Sequence, residues 1–497
     1  MSAAVGSERI SAVVGYAMIA GNFAETSPNL PQRVAVICEA NTANQASLNT
    51  DEWQATTLAA VGARYGYGSP AYLIARIALP VLGGIPLVFF PQAEAGGATA
   101  KVYTITPSGT ATGNATHTLI IAGRDGLDGQ LYNFTVNEGD NAADINDKIN
   151  DAVSSVLGCP FTCSNTDYVS TLTSKWKGET ADELKLSIET NGNDAGIDYA
   201  VLSTQSGAGT PSIAAAITAF GTKWNTFLIN SYGTNTGIMS ALETYNGIPD
   251  TENPTGQYRG IIMRPLVALT GSTAEDPSSI TDARKANLTI AICPAPLSDG
   301  LSMEAAANVA AIVGVLAQNN PELDVLNKFY IDMPTPAAIG AMSDYNERDR
   351  IVKLGCSTVD LVNGKYQLKD FVTTYHPEGV LVPQYRYVRD LVVAMNIRYG
   401  YYLLEQDNVV AHVIANDSDT VNVNKVVKPK MWKQVLSKYF EDLVSRGLTV
   451  DTTFSEKSLT VGIDGTNPNR INTFFRVKLS GIARISATTV EMGFNFG

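Results

Sequence analysis

A chain of 497 residues with 45% hydrophobic and 17% charged residues can bury a large core, and its length points to about three domains. The formal net charge of −13 argues against wholesale nucleic-acid binding, and no run approaches the ~18 uninterrupted apolar residues of a membrane span. The five cysteines (Cys38, Cys159, Cys163, Cys293 and Cys356) are odd in number and lie mostly in apolar runs. That fits buried thiols of a cytoplasmically made protein rather than a disulfide framework.

At the amino end, Ile10, Ala12, Val14, Tyr16 and Met18 fall at period two, which predicts a short strand with one apolar face. Glu8 and Arg9 stand where the apolar core of a signal peptide would begin. Residues 1–30 therefore read as an arm ending in the polar linker Ala24–Pro31. A body begins over 31–94, with a buried strand at Gln32–Cys38, helical stretches at Trp53–Tyr65 and Ala71–Leu79, and a strand between Pro86 and Pro91.

Over 95–212 the texture turns to Thr, Gly, Asn and Asp with short strands. Strands are predicted at His117–Ala122, Tyr132–Val136, Ser170–Thr173 and Leu184–Ile188. A helix is predicted from Asn141 to Leu157, where Ile145, Ile149, Val153 and Val156 recur at helical spacing. Ser203–Gly209 reads as a flexible exit. Because α/β patterning resumes afterwards, the stretch reads as a small inserted α+β domain with an independent core.

The body continues over 213–469. Strands are expected at Thr226–Asn230, Arg259–Arg264 and Thr289–Cys293, and helices at Ser240–Tyr245, Ser279–Ala286 and Met303–Gln318. This is the rhythm of a mostly parallel or mixed sheet with flanking helices. A helix at Tyr345–Leu354, a hairpin through Val359–Tyr375 and a buried helix at Tyr385–Leu404 follow. The helix Pro429–Arg446 is two-faced, with Trp432, Val435, Leu436, Tyr439 and Leu443 as its stripe.

Residues 470–497 close the chain with two alternating runs: Phe475, Val477 and Leu479, then Val490, Met492, Phe494 and Phe496. A terminal strand from Ile482 to Phe496 is either an edge strand on its own domain or an arm that completes a neighbour's sheet. The fold class expected is thus an α/β core with an inserted small α+β domain and extended N- and C-terminal strand arms.

Little in the sequence carries chemistry. There is no HExxH, no G-x-S-x-G and no P-loop, since Gly62–Gly68 lacks the Lys-Ser/Thr pair. Cys159 and Cys163 have no second pair or nearby histidine, and Asp125–Gly129 lacks the acidic spacing of a calcium loop and reads as tight turns. His117, His376 and His412 show no partners. The expectation is a protein that is not an enzyme and needs no metal or cofactor. One charge pattern stands out: Lys425, Lys428, Lys430, Lys433, Lys438 and Arg446 face only Glu441 and Asp442. Lys430, Lys433 and Lys438 lie away from the Trp432 stripe, as a solvated face or as a strip docking an acidic partner.

Leu30–Ile37, Tyr132–Asp140 leading into the 142–153 helix, Gly207–Thr210, Asn225–Asn230, Asp370–Tyr375 and Tyr387–Asp390 occur in one order. In them the chain resembles the tail sheath proteins of contractile-tailed phages, of the Mu-like group. The resemblance implies hexameric rings stacked around a tail tube, which contract by rearranging subunits during genome delivery. Its partners would be other copies of itself, a tail tube protein, and baseplate and tail terminator proteins, with no direct nucleic-acid contact and no membrane insertion. Its location would be the virion, after assembly in the host cytoplasm. The implied exchanged strands carry Ile10, Ala12, Val14, Tyr16, Met18, Phe475, Val477, Leu479, Val490, Met492, Phe494 and Phe496, with hinges at Gly21–Pro31 and Asp464–Asn469. A tube-facing helix would present Lys430, Lys433 and Lys438. Cores of this kind are sometimes described as subtilisin-like, but no triad matches that label here. The sheath of a bacterial contractile injection apparatus and a capsid or surface-layer component remain alternatives.

Overall fold

A computed structural model describes residues 28–250, 252–378 and 384–494. The expected strand Ile10–Met18 and Phe496 lie outside the described residues.

The body is a six-stranded sheet. Its strands are β1 (Val34–Glu39), β2 (Trp53–Ala55), β3 (Leu87–Gln92), β4 (Phe227–Asn230), β5 (Val267–Ser272) and β6 (Ile290–Pro294), in the order β6-β5-β4-β1-β3-β2. All neighbours run parallel except β2, which pairs antiparallel with β3. β1 is buried at every position. Near-continuous apolar runs such as Val34–Cys38 are what a strand covered on both faces requires. The cover comes from helices α1 (Leu58–Tyr65), α2 (Pro70–Leu82) and α3 (Ser302–Asn319). Thr57 and Ser69 cap α1 and α2 with their hydroxyls, and Pro70 opens α2. α3 meets β5 at Gly271, where an added Cβ would lie 1.7 Å from the Ser302 carbonyl oxygen. Only glycine lets helix and strand approach so closely.

Residues 100–205 contribute no strand to this sheet. They form a four-stranded sheet (Ala100–Ser108, Phe161–Thr166, Val169–Lys177, Asp198–Gln205) and a three-stranded one (Ala115–Ile121, Asn133–Val136, Leu186–Glu189). The helix Ala142–Ser155 starts in a capping box of Asn141 and Asp144 and buries Ile145, Ile149 and Val153. The expected independent core is absent: these buried side chains run without a break into those of the body. The joint is also charged. Glu304 on α3, 1% exposed, takes Arg124 Nη1 at 2.8 Å and Arg76 Nη2 at 3.4 Å, and both arginines also pair with Asp332.

Helices α4 (Val388–Asn408) and α5 (Pro429–Ser445) build a second buried cluster around Val393, Trp432, Leu436 and Phe440. The hairpin Thr460–Ile463 with Ile471–Phe474 follows.

Three expectations fail. Trp53–Ala55 is a strand, not the start of a helix, and its pairing with β3 overrides the apolar spacing. Arg259–Arg264 is a loop with Ile261 wholly exposed; Pro265 ends it, and the sheet takes Val267–Ser272 instead. Ser203–Gln205 is not a flexible exit but the end of an edge strand paired to Val102 and Tyr103. Over the described residues 480–494 no strand ladder forms within the chain.

Candidate functional site

The three histidines and the Asp125–Gly129 stretch are already engaged in the fold. His117 is buried between the Tyr199 hydroxyl (2.6 Å) and the Asn193 carbonyl (2.9 Å). His376 lies between the Thr374 carbonyl (2.7 Å) and Asp282 Oδ1 (3.1 Å), with no nucleophile in its set. His412 Nδ1 meets the Val410 carbonyl at 3.0 Å. Asp128 and Gly129 both take positive φ in the two-residue turn of a hairpin, Gly126–Leu127 with Gln130–Leu131. Among the described residues, no group of three or more His, Cys, Asp or Glu side chains is placed to hold a metal.

One buried group is unusual. Glu39 ends β1, where the strand order reverses between β1 and β4, the place where open α/β sheets keep a ligand crevice. Here that place is filled. The Thr180 hydroxyl approaches Glu39 Oε2 at 3.5 Å, and Glu39 Oε1 and the Tyr232 hydroxyl have no hydrogen-bond partner among the described residues. Burial, with help from the nearby Glu94, pushes the Glu39 carboxyl up to about 8, against the pull of Thr180.

The more distinctive features are the ends. Asn29 Nδ2 donates to the carbonyls of Gln318 (3.0 Å) and Asn319 (3.2 Å) at the end of α3, and the Leu30 amide donates to Asn396 Oδ1 (2.8 Å). The expected hinge Gly21–Pro31 is therefore fixed at its last residues. At the other end, Phe475, Val477 and Leu479 pack on the α4–α5 cluster of their own chain while Arg476 and Lys478 point out, as the alternation predicts. Ser480 receives Arg389 Nη2 at 2.6 Å. Arg484 pairs with Asp324 and stacks 3.8 Å from the centre of the Tyr387 ring. Beyond it the chain turns outward: Ile485 is 86%, Met492 88% and Phe494 89% exposed, and Val490 is exposed too. Large apolar side chains in a row with so little cover mark an interaction surface.

On α5, Lys430, Lys433 and Lys438 are all exposed and Trp432, Leu436 and Tyr439 buried, so the two-faced reading of this helix holds. Glu441 shares the exposed side. The anchors Asn29, Arg389, Ser480 and Arg484 escape sequence reasoning. Their partners lie up to hundreds of positions away, and no local pattern marks them.

No model of a known protein family matches the chain. The chain is similar along most of its length to a Mu-like tail sheath protein. The relative is the Mu-like prophage FluMu tail sheath protein of Haemophilus influenzae, 25% identical over 414 residues that cover 82% of each chain. Among solved structures, a sheath tail protein from Desulfitobacterium hafniense aligns over 93% of this chain and all of its own, at 12% identity and TM-score 0.44. A chain of the anti-feeding prophage baseplate aligns over 98% of this chain and all of its own, at 10% identity and TM-score 0.46. Among the described residues no helix is long and apolar enough to cross a membrane.

Proposed function

We propose that the chain is the structural subunit of a contractile phage tail sheath, working without catalysis as one of many copies around a tail tube. The observation that carries this reading is its similarity to a phage tail sheath protein along 82% of both chains. Copies would form stacked hexameric rings in the virion tail, bounded by baseplate and terminator proteins. Contraction would be a rigid-body change of packing between copies. The segment from Ile485 onward would add a strand to a neighbouring copy, as would residues around Ile10–Met18. Backbone ladders of this kind hold while side-chain contacts exchange. The exposed Ile485, Val490, Met492 and Phe494 support this, since an apolar row gains stability only when covered. The 95–212 stretch would be an inserted domain on the outside of the assembly, and the exposed lysines of α5 would face the tube.

The test is negative-stain microscopy of the purified full-length protein beside a truncation ending at Arg484. Tubes or stacked rings from the full chain, and none from a folded truncation, are expected. A full chain that stays monomeric at high concentration, or a truncation that polymerises like the full chain, would refute the reading.

A further inference from the structure

The two ends of the described chain are tied to the same turn. Helix α5 ends in a Schellman motif: the Leu448 amide bonds the Leu443 carbonyl at 3.0 Å, and the Gly447 amide bonds the Val444 carbonyl at 3.0 Å. Gly447 takes φ +68°, as that motif requires, and Leu443 and Leu448 are buried in one cluster. This turn leaves its next groups pointing at both chain ends. Arg446 Nη2 donates to Asn29 Oδ1 at 2.5 Å, across a separation of 417 residues, while Arg446 Nη1 rests 3.4 Å from Asp442. One residue on, the Gly447 carbonyl accepts the Ser480 hydroxyl, and the Leu448 carbonyl accepts the Ser480 amide at 3.2 Å. A second tie closes the set. Asn29 donates to the last carbonyls of α3, and Arg389, buried beside Ser480, donates from Nε to the Glu322 carbonyl (2.9 Å) just beyond that helix.

We infer that the turn Arg446–Leu448, backed by the end of α3, is a common anchor that couples the exits of the amino- and carboxyl-terminal segments. The inference rests on the sheath reading for its purpose, since a subunit joined to neighbours through both ends must hold the two joints in a fixed relation. Its geometry is independent of that reading. The anchor thus fixes the chain at Asn29 on one side and from Ser480 to Arg484 on the other. Loss of one tie frees the turn, so it loosens the opposite end as well. A structural role confined to each end separately does not have that effect.

The experiment is amide hydrogen exchange on the full-length, unassembled protein, comparing wild type with Ser480→Ala, Asn29→Ala and Arg446→Gln. Ser480→Ala is expected to raise exchange across residues 28–34, and Asn29→Ala across residues 477–484, each by about five-fold or more. Arg446→Gln raises both. The helix Ala142–Ser155 stays unchanged. Increases confined to the mutated end, or no increase at either, would overturn the coupling. So would a rise throughout the chain, helix 142–155 included, because the turn would then hold the whole fold and not the ends. Tube formation by wild type is scored separately by microscopy. Tubes without cross-effects refute the anchor alone, and cross-effects without tubes refute the sheath reading alone.

Discussion

Replacing Glu39 by Gln isolates one buried carboxyl at the end of β1. In the folded chain its carboxyl is raised from an ordinary 4.5 to about 8 by burial and by Glu94; Cys38, Tyr232 and the Thr180 hydroxyl also face it. Lys177 lies 3.8 Å from Glu94 rather than beside Glu39, and among the described residues no cation pairs with the Glu39 carboxyl. Between those two pH values the unfolded chain has released the proton and the folded one has kept it. Rising pH therefore favours unfolding: the stability is fully present below about 4.5 and is lost as pH climbs through about 8. At 1.36 kcal/mol per pH unit, that interval corresponds to about 5 kcal/mol. Glutamine keeps the size and a polar end but has no proton to lose. Urea midpoints of both proteins measured from pH 5 to pH 9 should match at the acid end and diverge steadily, with the variant the more stable at pH 9. Parallel curves would refute the assignment of a neutral, buried Glu39.

Three further outcomes follow from the charged groups and the ends. Glu304→Gln leaves Arg76 and Arg124 facing only Asp332, which is 41% exposed, and should cost about 3–5 kcal/mol in urea unfolding. Asp332→Asn should cost about 1 kcal/mol or less, because water already screens that carboxylate; equal costs would contradict the burial argument. If the α5 lysines face a tube as proposed, reversing Lys430, Lys433 and Lys438 to Glu would remove contacts worth about 0.2–1 kcal/mol each, repeated in every ring. Binding to an acidic tube, followed by sedimentation, should weaken and lose its salt dependence, and unchanged binding from low to high salt would rule the strip out. Truncation after Arg484 should leave the urea midpoint of the monomer within about 0.5 kcal/mol of wild type, since Ile485, Val490 and Met492 are largely exposed.

The body was legible where burial is two-sided. Val34–Cys38, Phe227–Ile229 and Ile290–Cys293 are short apolar runs bounded by polar residues, and each became a parallel strand. The rule failed where an apolar pair sits in a loop: Ile261 and Ile262 suggest a strand, yet the true one, Val267–Ser272, carries Thr and Gly at its centre. Trp53–Ala55 was hidden because three residues show no period. The carboxyl end shows the limit of pattern most clearly. Alternation at Phe475, Val477 and Leu479 foretold which side chains turn inward, but not that their own helices α4 and α5 would cover them. The same alternation at Val490 and Met492 leaves both side chains largely exposed. Periodicity reports that a face exists, and only packing reports what meets it. Anchors such as Asn29 with Arg446 join distant positions by single hydrogen bonds, and a sequence offers no local trace of them.

The filled crevice at the end of β1 has a mechanical consequence. An open α/β sheet with an empty cleft at its switch point has a soft place, where loops can close on a ligand and spring back. In this chain the cleft is occupied by Thr180 and its neighbours, and the Glu183 carboxylate clasps the first turn of α3 through the Ser302 amide and hydroxyl. Close-packed interiors are nearly incompressible and pass strain on instead of absorbing it. A push on the 95–212 stretch thus reaches the central sheet through α3 with little give. If copies stack as proposed, each subunit body would serve as a stiff strut between its neighbours.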